Sequence, residues 1–157
     1  MPWWLENNLR LVQNNLRDID AAMDVDRLLS DLRQFDCNVV MVGAGGITSF
    51  FPTELAYQRP SPFLGDRDVL GEIVEKCHQE GIRVIARFDF SKTHESFYKD
   101  HPEWYYRSPK GEIVRYNDTV HTCVCGWYQQ EYSLKIIEEV LRKYPVDGIF
   151  FNMFGFT

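Results

Sequence analysis

The chain has 157 residues, a formal net charge of −6 at pH 7 and a hydrophobic content of 45%. This length and composition are typical of a soluble globular protein, so we treat residues 1–157 as a single domain. The negative charge argues against a nucleic-acid binder, because phosphate contacts need clustered Lys and Arg. The sequence contains no run of about 18 apolar residues, which excludes a membrane span.

The cysteines and the N-terminus bear on location. Four cysteines in a chain of this length do not form a disulfide-rich pattern. The first residues, Met-Pro-Trp-Trp-Leu-Glu, lack the basic segment and apolar core of a signal peptide. We therefore expect a reducing, cytoplasmic setting.

The first predicted elements are a weak strand at residues 9–16 and an amphipathic helix at residues 25–35, which begins after Asp24. A β-branched run at residues 37–42 is typical of a buried strand. The Gly-Ala-Gly-Gly sequence at residues 43–46 resembles a phosphate-binding loop, but a helix must begin on such glycines, and the next residues are poor helix formers. We therefore expect a flexible loop here and no nucleotide site.

The rest of the chain repeats this alternation. A helix is predicted at residues 69–79, with Gly81 after its end, and a buried strand at residues 83–88. A helix at residues 132–141 and a strand at residues 147–151 follow. The side chains expected to face inward on this last helix are Leu134, Ile137, Val140 and Leu141. The order β-α-β-α-β-α-β favours parallel strands joined by right-handed crossovers.

Loop lengths indicate where a site lies. The strand-to-helix connections at residues 43–67 and 91–128 are long, whereas each helix-to-strand junction is short. The second long loop is expected to contain a hairpin, with arms at residues 104–107 and 113–116. Barrels and doubly wound sheets both place active sites at the carboxyl ends of their strands. A complete (β/α)₈ barrel takes about 250 residues, so we favour the N-terminal half of a barrel over a small open α/β domain.

Polar side chains follow the predicted strand at residues 83–88. Arg87, Asp89 and Ser91 alternate onto one side of the chain, and such residues at barrel strand ends usually face the substrate. A purely structural ion pair between Arg87 and Asp89 is the alternative. His94 and Glu95 follow closely and are expected to reach the same region, although a lone histidine is more often a hydrogen-bonded loop residue.

Two further groups of residues are ligand-binding candidates: tryptophans in the loops and a segment with histidine and cysteines. Aromatic residues make up 15% of the chain, and Trp104 and Trp127 lie in predicted loops, where a flat apolar ring suits a ligand face. His121, Cys123 and Cys125 alternate on one segment and are zinc-ligand types, but a single such cluster is weak evidence for a tetrahedral site. We therefore expect reduced thiols, with no metal and no cofactor.

Several motifs in order resemble the hypothetical glycosyl hydrolase 6 family. The segments that carry the resemblance are residues 14–21, 82–92, 101–104 and 146–155. The family consists of barrel hydrolases often described as β-galactosidase-like. The resemblance therefore implies a partial TIM-barrel catalytic domain, a carbohydrate ligand and hydrolysis of O-glycosidic bonds. The positions that it implies around the pocket are Arg87, Asp89, His94, Glu95 and Asn152, and Trp104 and Trp127 are expected to stack on sugar rings.

Asn152 lies where many retaining barrel glycosidases place a carboxylate nucleophile. Asparagine cannot be a nucleophile, so we expect it to hydrogen-bond a sugar hydroxyl, a packing or capping role being the alternative. Glycoside hydrolysis normally needs two carboxyl groups, and no catalytic pair is identified in this sequence. We expect the missing carboxylate to be encoded beyond Thr157 and the isolated chain to be inactive. A non-catalytic carbohydrate-binding half barrel is the alternative, and the exposed strand edges of a half barrel predict a homo-oligomer.

Overall fold

A computed structural model describes residues 2–6 and 8–152. The helices are α1 (Trp3–Glu6), α2 (Val25–Gln34), α3 (Val69–Gln79) and α4 (Ser133–Lys143). The strands are β1 (Leu11–Gln13), β2 (Val39–Gly46), β3 (Arg83–Asp89), β4 (Lys92–His94), β5 (Arg115–Tyr116), β6 (Thr119–His121) and β7 (Gly148–Phe151). Short 3₁₀ turns cover Asp18–Ala22, Glu95–Lys99 and Pro102–Trp104, and a π-helical turn at Tyr128–Tyr132 precedes α4.

Four strands form one parallel sheet in the order β1-β2-β3-β7. Each strand therefore pairs with the next one in this series, and helices or long loops make the crossovers. The arrangement matches the first strands of a (β/α)₈ barrel and confirms the predicted parallel α/β fold. The weak first strand is confirmed over the shorter range Leu11–Gln13.

The two faces of the sheet differ in how they are covered. On β3, Val84, Ala86 and Phe88 are fully buried on the face that packs against the helices. Arg87 and Asp89 alternate with them and project from the other face, where they are only partly buried. This second face corresponds to the inside of a barrel.

The predicted helix caps are present. Asp24 accepts hydrogen bonds from the backbone N–H groups of Asp26 and Arg27 at the start of α2. Gly81 has a φ of 72° just after α3, which is the left-handed conformation that ends many helices. These local signals explain why the sequence located the helices well.

The prediction of which α4 side chains face inward was wrong in part. Ile136 and Val140 are fully buried, whereas Leu134 and Leu141 are 58% and 50% exposed. The helix has two apolar stripes, and the one that contains Leu134 lies beside the edge strand β7, whose Phe151 is 53% exposed. A sequence pattern cannot tell which of two apolar stripes meets the sheet.

The predicted flexible loop at residues 43–46 was also wrong, because these residues belong to β2 and pair with β3. The pairing continues, through one irregularity between Gly43 and Gly45, to the partners Gly46 and Asp89. Gly46 has a φ of 108°, and a Cβ atom there would lie 2.0 Å from the carbonyl oxygen of Asp89. Only glycine allows the two strands to approach so closely at this point.

The long connection after β3 folds into its own antiparallel sheet, in the order β4-β6-β5. The predicted hairpin turn at residues 108–111 is present, with Arg107 bridged to Ile113. Beyond this bridge the two predicted arms separate, because Arg115 and Tyr116 pair with β6 and Tyr105 pairs with Thr122. Within the described ranges, none of the helices is long and apolar enough to cross a membrane.

Candidate functional site

Asp89 lies at the carboxyl end of β3, where neighbouring side chains hold its carboxylate. Nδ2 of Asn152 donates to Oδ2 of Asp89 over 2.6 Å. The hydroxyl and the backbone N–H of Ser91 donate to Oδ1 over 2.5 and 3.1 Å. The backbone N–H of Asn152 also donates to the carbonyl of Phe88, which fixes Asn152 beside β3. Residues 153–155 of the same motif lie outside the described residues.

Arg87 lies on the same face of β3. Its Nη2 is 3.7 Å from Oδ2 of Asp89, and its side chain is only 14% exposed. Its buried Nε has no hydrogen-bond partner among residues 2–6 and 8–152. The pair is longer than the hydrogen-bonded Arg–carboxylate pairs that stabilise proteins most. The structure thus brings Arg87, Asp89 and Asn152 together.

A cleft of about 200 Å³ adjoins these residues at the carboxyl ends of the first strands. Asp18, Thr48, Arg87 and Asp89 contribute to its lining. The carboxylate of Asp18 accepts hydrogen bonds from Oγ1 of Thr48 over 2.7 Å and from Nη1 of Arg59 over 2.8 Å. Sequence patterns do not reveal this group, because its members are far apart in the chain and none belongs to a predicted strand.

Lys92 and His121 form a second group that the sequence analysis did not connect with Asp89. They face each other across β4 and β6, and Nζ of Lys92 is 3.4 Å from the hydroxyl of Ser91. Burial lowers the pKa of His121, and the charge of Lys92 lowers it further, against a smaller opposite effect of Asp89. The lowered pKa favours the neutral form of His121, beside the cationic side chain of Lys92.

The structure does not bring His94 and Glu95 into the cleft. His94 lies at the start of the 3₁₀ turn Glu95–Lys99, with its Nδ1 2.8 Å from the hydroxyl of Ser96. Glu95 accepts a hydrogen bond from Nη1 of Arg115 over 2.9 Å. The expectation that both reach the region of Asp89 is corrected, because β4 leads the chain into the small sheet, where local partners hold both side chains.

The aromatic residues of the long loop pack mainly on one another. Trp104 is 2% exposed, and it stacks at 3.8 Å on His101 and at 5.2 Å on Trp127. Trp127 is 43% exposed, and Nζ of Lys135 lies 5.4 Å from its ring centre. Trp104 is therefore part of a loop core and has no free face for a ligand, which corrects its prediction. Trp127, by contrast, retains exposed ring surface that a ligand can contact.

The predicted thiols are free, Cys125 being exposed and Cys123 partly buried. No group of three or more His, Cys, Asp or Glu side chains is arranged to hold a metal ion within the part of the chain that the structure describes. A larger groove of about 780 Å³ runs between α3 and the end of α4, bordered by His78 and Tyr144. It lies in the helix layer, and none of the predicted site residues contributes to its lining.

Several solved structures that share the fold of this chain are glycoside hydrolases. Isoenzyme 2 of α-L-fucosidase from Paenibacillus thiaminolyticus superimposes with a TM-score of 0.74 and is 24% identical; the match covers 93% of this chain and 23% of the fucosidase. The maltogenic α-amylase AmyB from Thermotoga neapolitana has a TM-score of 0.65 and 17% identity, with 96% of this chain and 40% of AmyB covered. The α-galactosidase from Lactobacillus brevis has a TM-score of 0.61 and 14% identity, with 92% of this chain and 20% of the galactosidase covered.

The chain thus spans less than half the length of each of these enzymes. At such identities the likeness establishes the fold, which is that of the N-terminal half of a (β/α)₈ barrel. No curated protein sequence matches the chain significantly. A family model does match, over residues 24–153, and this range covers most of the chain. The chain therefore belongs to the hypothetical glycosyl hydrolase 6 family.

Proposed function

We propose that the chain is the carbohydrate-binding part of a glycoside hydrolase that acts on O-glycosidic bonds, with β-galactosides as its substrates. The observation that carries this proposal is the cluster of Arg87, Asp89 and Asn152, which adjoins a cleft at the carboxyl ends of parallel strands. Barrel enzymes build their active sites at this end of the sheet. The family and the glycosidase fold of the chain support the same function.

The side chains of the cluster have the hydrogen-bonding groups that a sugar needs. Arg87 offers donors, Asp89 offers acceptors, and the amide of Asn152 offers both. Asn152 and Ser91 fix the position of the Asp89 carboxylate before a ligand arrives. A preorganised acceptor loses little conformational entropy on binding, which lowers the cost of binding a sugar hydroxyl.

Hydrolysis requires more than the cluster provides. Of the carboxylates in the cleft lining, Asp18 accepts hydrogen bonds from Arg59 and Thr48, and Asp89 from Asn152 and Ser91. Hydrolysis needs one carboxyl group to protonate the leaving oxygen and a second to act as nucleophile or base, and both carboxylates of the lining already accept hydrogen bonds at each oxygen. We therefore propose that turnover depends on a further carboxyl group and that the isolated 157-residue chain does not hydrolyse glycosides.

Two measurements on the same preparation test the proposal. Calorimetry with D-galactose should detect binding, and Asp89→Asn should weaken it, whereas the exposed helix variant Asp31→Asn should leave it unchanged. Aryl β-galactosides should show no turnover by the isolated chain. Turnover that Asp18→Asn or Asp89→Asn abolishes would show that this chain contains its own catalytic carboxylates.

The second candidate function is a non-catalytic carbohydrate-binding module. The presence of an amide at Asn152, at the end of a barrel strand and hydrogen-bonded to Asp89, favours it. Assays on the longest natural protein that contains this chain separate the two functions. Hydrolysis favours the enzyme, and persistent binding without hydrolysis favours the module.

We further propose that the chain works in the reducing cytoplasm and self-associates. All four cysteines are free thiols, which fits a reducing compartment. The edge strand β7 exposes Ile149, Phe150 and Phe151 by 42%, 38% and 53%, and exposed apolar strand edges favour pairing with another chain. Light scattering should detect oligomers whose proportion falls in Ile149→Lys. A monomer over the whole concentration range would contradict self-association.

A further inference from the structure

Arg87 has hydrogen-bonding capacity that the described residues leave unused. Its side chain is 14% exposed, yet its nearest carboxylate oxygen is 3.7 Å away and its Nε has no partner within the described ranges. Buried donors are nearly always hydrogen-bonded in folded proteins, and a guanidinium has five of them. Nε is enclosed, so the groups that Arg87 can offer to a ligand are its Nη donors, and Arg87 lines the cleft at the carboxyl ends of the strands.

The acidic side chains near Arg87 accept hydrogen bonds from other residues. Asn152 and Ser91 donate to both oxygens of Asp89, and Thr48 and Arg59 donate to both oxygens of Asp18. Neither carboxylate forms a close bidentate pair with Arg87, and that of Asp89 lies 3.7 Å from its Nη2. The Nη groups of Arg87 are therefore free to donate to an acceptor that a ligand supplies.

The charges at this end of the sheet also favour an anionic ligand. Lys92 lies 3.4 Å from the hydroxyl of Ser91, which itself donates to Asp89. Arg87 and Asp89 balance each other in the lining, and Lys92, which lies outside the lining, adds one positive charge beside them. The other charged residues in the lining are compensated by ion pairs, Arg17 with Asp20 and Asp18 with Arg59.

We infer that the cleft selects a sugar that carries a carboxylate, a uronic acid, and that this carboxylate binds the guanidinium of Arg87. A carboxylate is planar and accepts two parallel hydrogen bonds, which matches the fork of a guanidinium. The cleft of about 200 Å³ has room for one small ligand group such as a single sugar ring. This inference rests on the proposed function, because it specifies the class of sugar that the same cleft binds.

D-Galacturonate and D-galactose form a matched pair of probes, since they differ only in the carboxylate at C6. Calorimetry at low salt should show galacturonate binding about tenfold more tightly, which is the size of one charge-assisted hydrogen bond. The preference should shrink as salt is added. Galactose 6-sulfate, as a third probe, tests the shape of the anion, and binding equal to that of galacturonate would reduce the inference to a general anion site and overturn its carboxylate form.

Variants locate the source of the preference. Arg87→Gln should lower galacturonate binding to the level of galactose, and Arg87→Lys should retain a smaller preference that is lost at higher salt. Arg107→Gln, which removes the same charge from an exposed loop residue outside the cleft, should change neither affinity. If Arg87→Gln does not fold, Arg87→Lys decides the question, and an undiminished preference in that variant would overturn the inference.

The outcomes separate this inference from the proposed function. Equal affinity for the two sugars, or a preference that persists in Arg87→Gln, would overturn the uronic-acid inference and leave carbohydrate binding intact. Absence of binding by both sugars would overturn the proposed function and the inference together.

Discussion

Asp147 and Asp89 lie at opposite ends of the same parallel sheet, and their surroundings differ. Asp147 is 9% exposed, and it accepts hydrogen bonds of 2.8–2.9 Å from the backbone N–H of Val84, from His78 and from Arg83. Asp89 is 17% exposed, its close donors are the neutral groups of Asn152 and Ser91, and a cleft adjoins it. The cationic and backbone partners of Asp147 thus make it a structural anchor. The neutral partners of Asp89 leave its charge available to a ligand.

The difference also agrees with barrel architecture. In barrels, residues at the amino ends of the strands mainly stabilise the fold, and those at the carboxyl ends form the site. Burial acts to raise the pKa of Asp147, but the hydrogen bonds from Val84, His78 and Arg83 outweigh burial, and its pKa is lowered. Variants at the two aspartates should therefore separate stability from binding.

The largest effect on stability is expected for Asp147→Ala. The substitution removes the acceptor of several hydrogen bonds, and half-exposed Arg83 recovers part of the loss through water, so the free energy of unfolding should fall by about 2–3 kcal/mol. Urea denaturation measures this change, with the exposed variant Asp31→Ala as its control. Sugar affinity of the folded protein should be unchanged, because the two sites are distant. A stability loss within about 0.5 kcal/mol would contradict the role of Asp147 as an anchor.

For Asp89→Asn we expect a clear loss of sugar binding and only a small loss of stability. An amide retains one oxygen for Ser91 but brings its own N–H₂ group toward that of Asn152, so binding of D-galactose should weaken about tenfold. Because the site is partly open to water, the free energy of unfolding should fall by no more than about 1 kcal/mol. Calorimetry and urea denaturation on the same variant give both values. A large loss of stability with unchanged binding would reverse the roles assigned to the two aspartates.

Acidification should expose the contribution of Asp147 to stability. A lowered pKa in the folded state means that this contribution is complete above the unfolded pKa of about 4, and that it is lost as the pH falls through the lower folded pKa. The difference in stability between the wild type and Asp147→Asn should therefore be constant near neutral pH and shrink below about pH 4. Urea midpoints measured from pH 7 to pH 3 test this, and a difference that grows on acidification would contradict the sign.

The smallest effect is expected for Glu95→Gln. Glu95 pairs with Arg115 at the surface of the small sheet, where an exposed ion pair contributes about 0–1 kcal/mol. Sugar affinity should stay the same, because Glu95 does not contribute to the lining of the cleft. A clear loss of binding would show that Glu95 belongs to the site after all, as its sequence position suggested.

The sequence predicted the part of the site that regular structure positions. Arg87 and Asp89 alternate on a strand, and Asn152 ends the next strand of the sheet. Because parallel neighbours bring their carboxyl ends to one edge, these residues had to meet once the strands were identified. Strand periodicity and helix caps are local signals, which is why the fold and this cluster were predicted together.

The remaining site residues depend on how the long loops fold, and local patterns do not encode that. Trp104 was expected to face a ligand, but a loop of this length needs a core of its own, and the ring is buried in it. Glu95 was expected near Asp89, but β4 directs it toward Arg115. Asp18 went unnoticed because its partner Arg59 comes from a different loop.

Mapping the bound sugar onto the chain tests the central claim most directly. In an NMR titration with D-galactose and D-galacturonate, the largest shifts of backbone amide signals should occur at Gly46, Asp89, Ser91 and Asn152, at the carboxyl ends of the strands. Asp89→Asn should reduce the shifts that D-galactose causes at equal sugar concentration. Shifts confined to the groove near His78 and Tyr144, or no shifts with either sugar, would contradict the account.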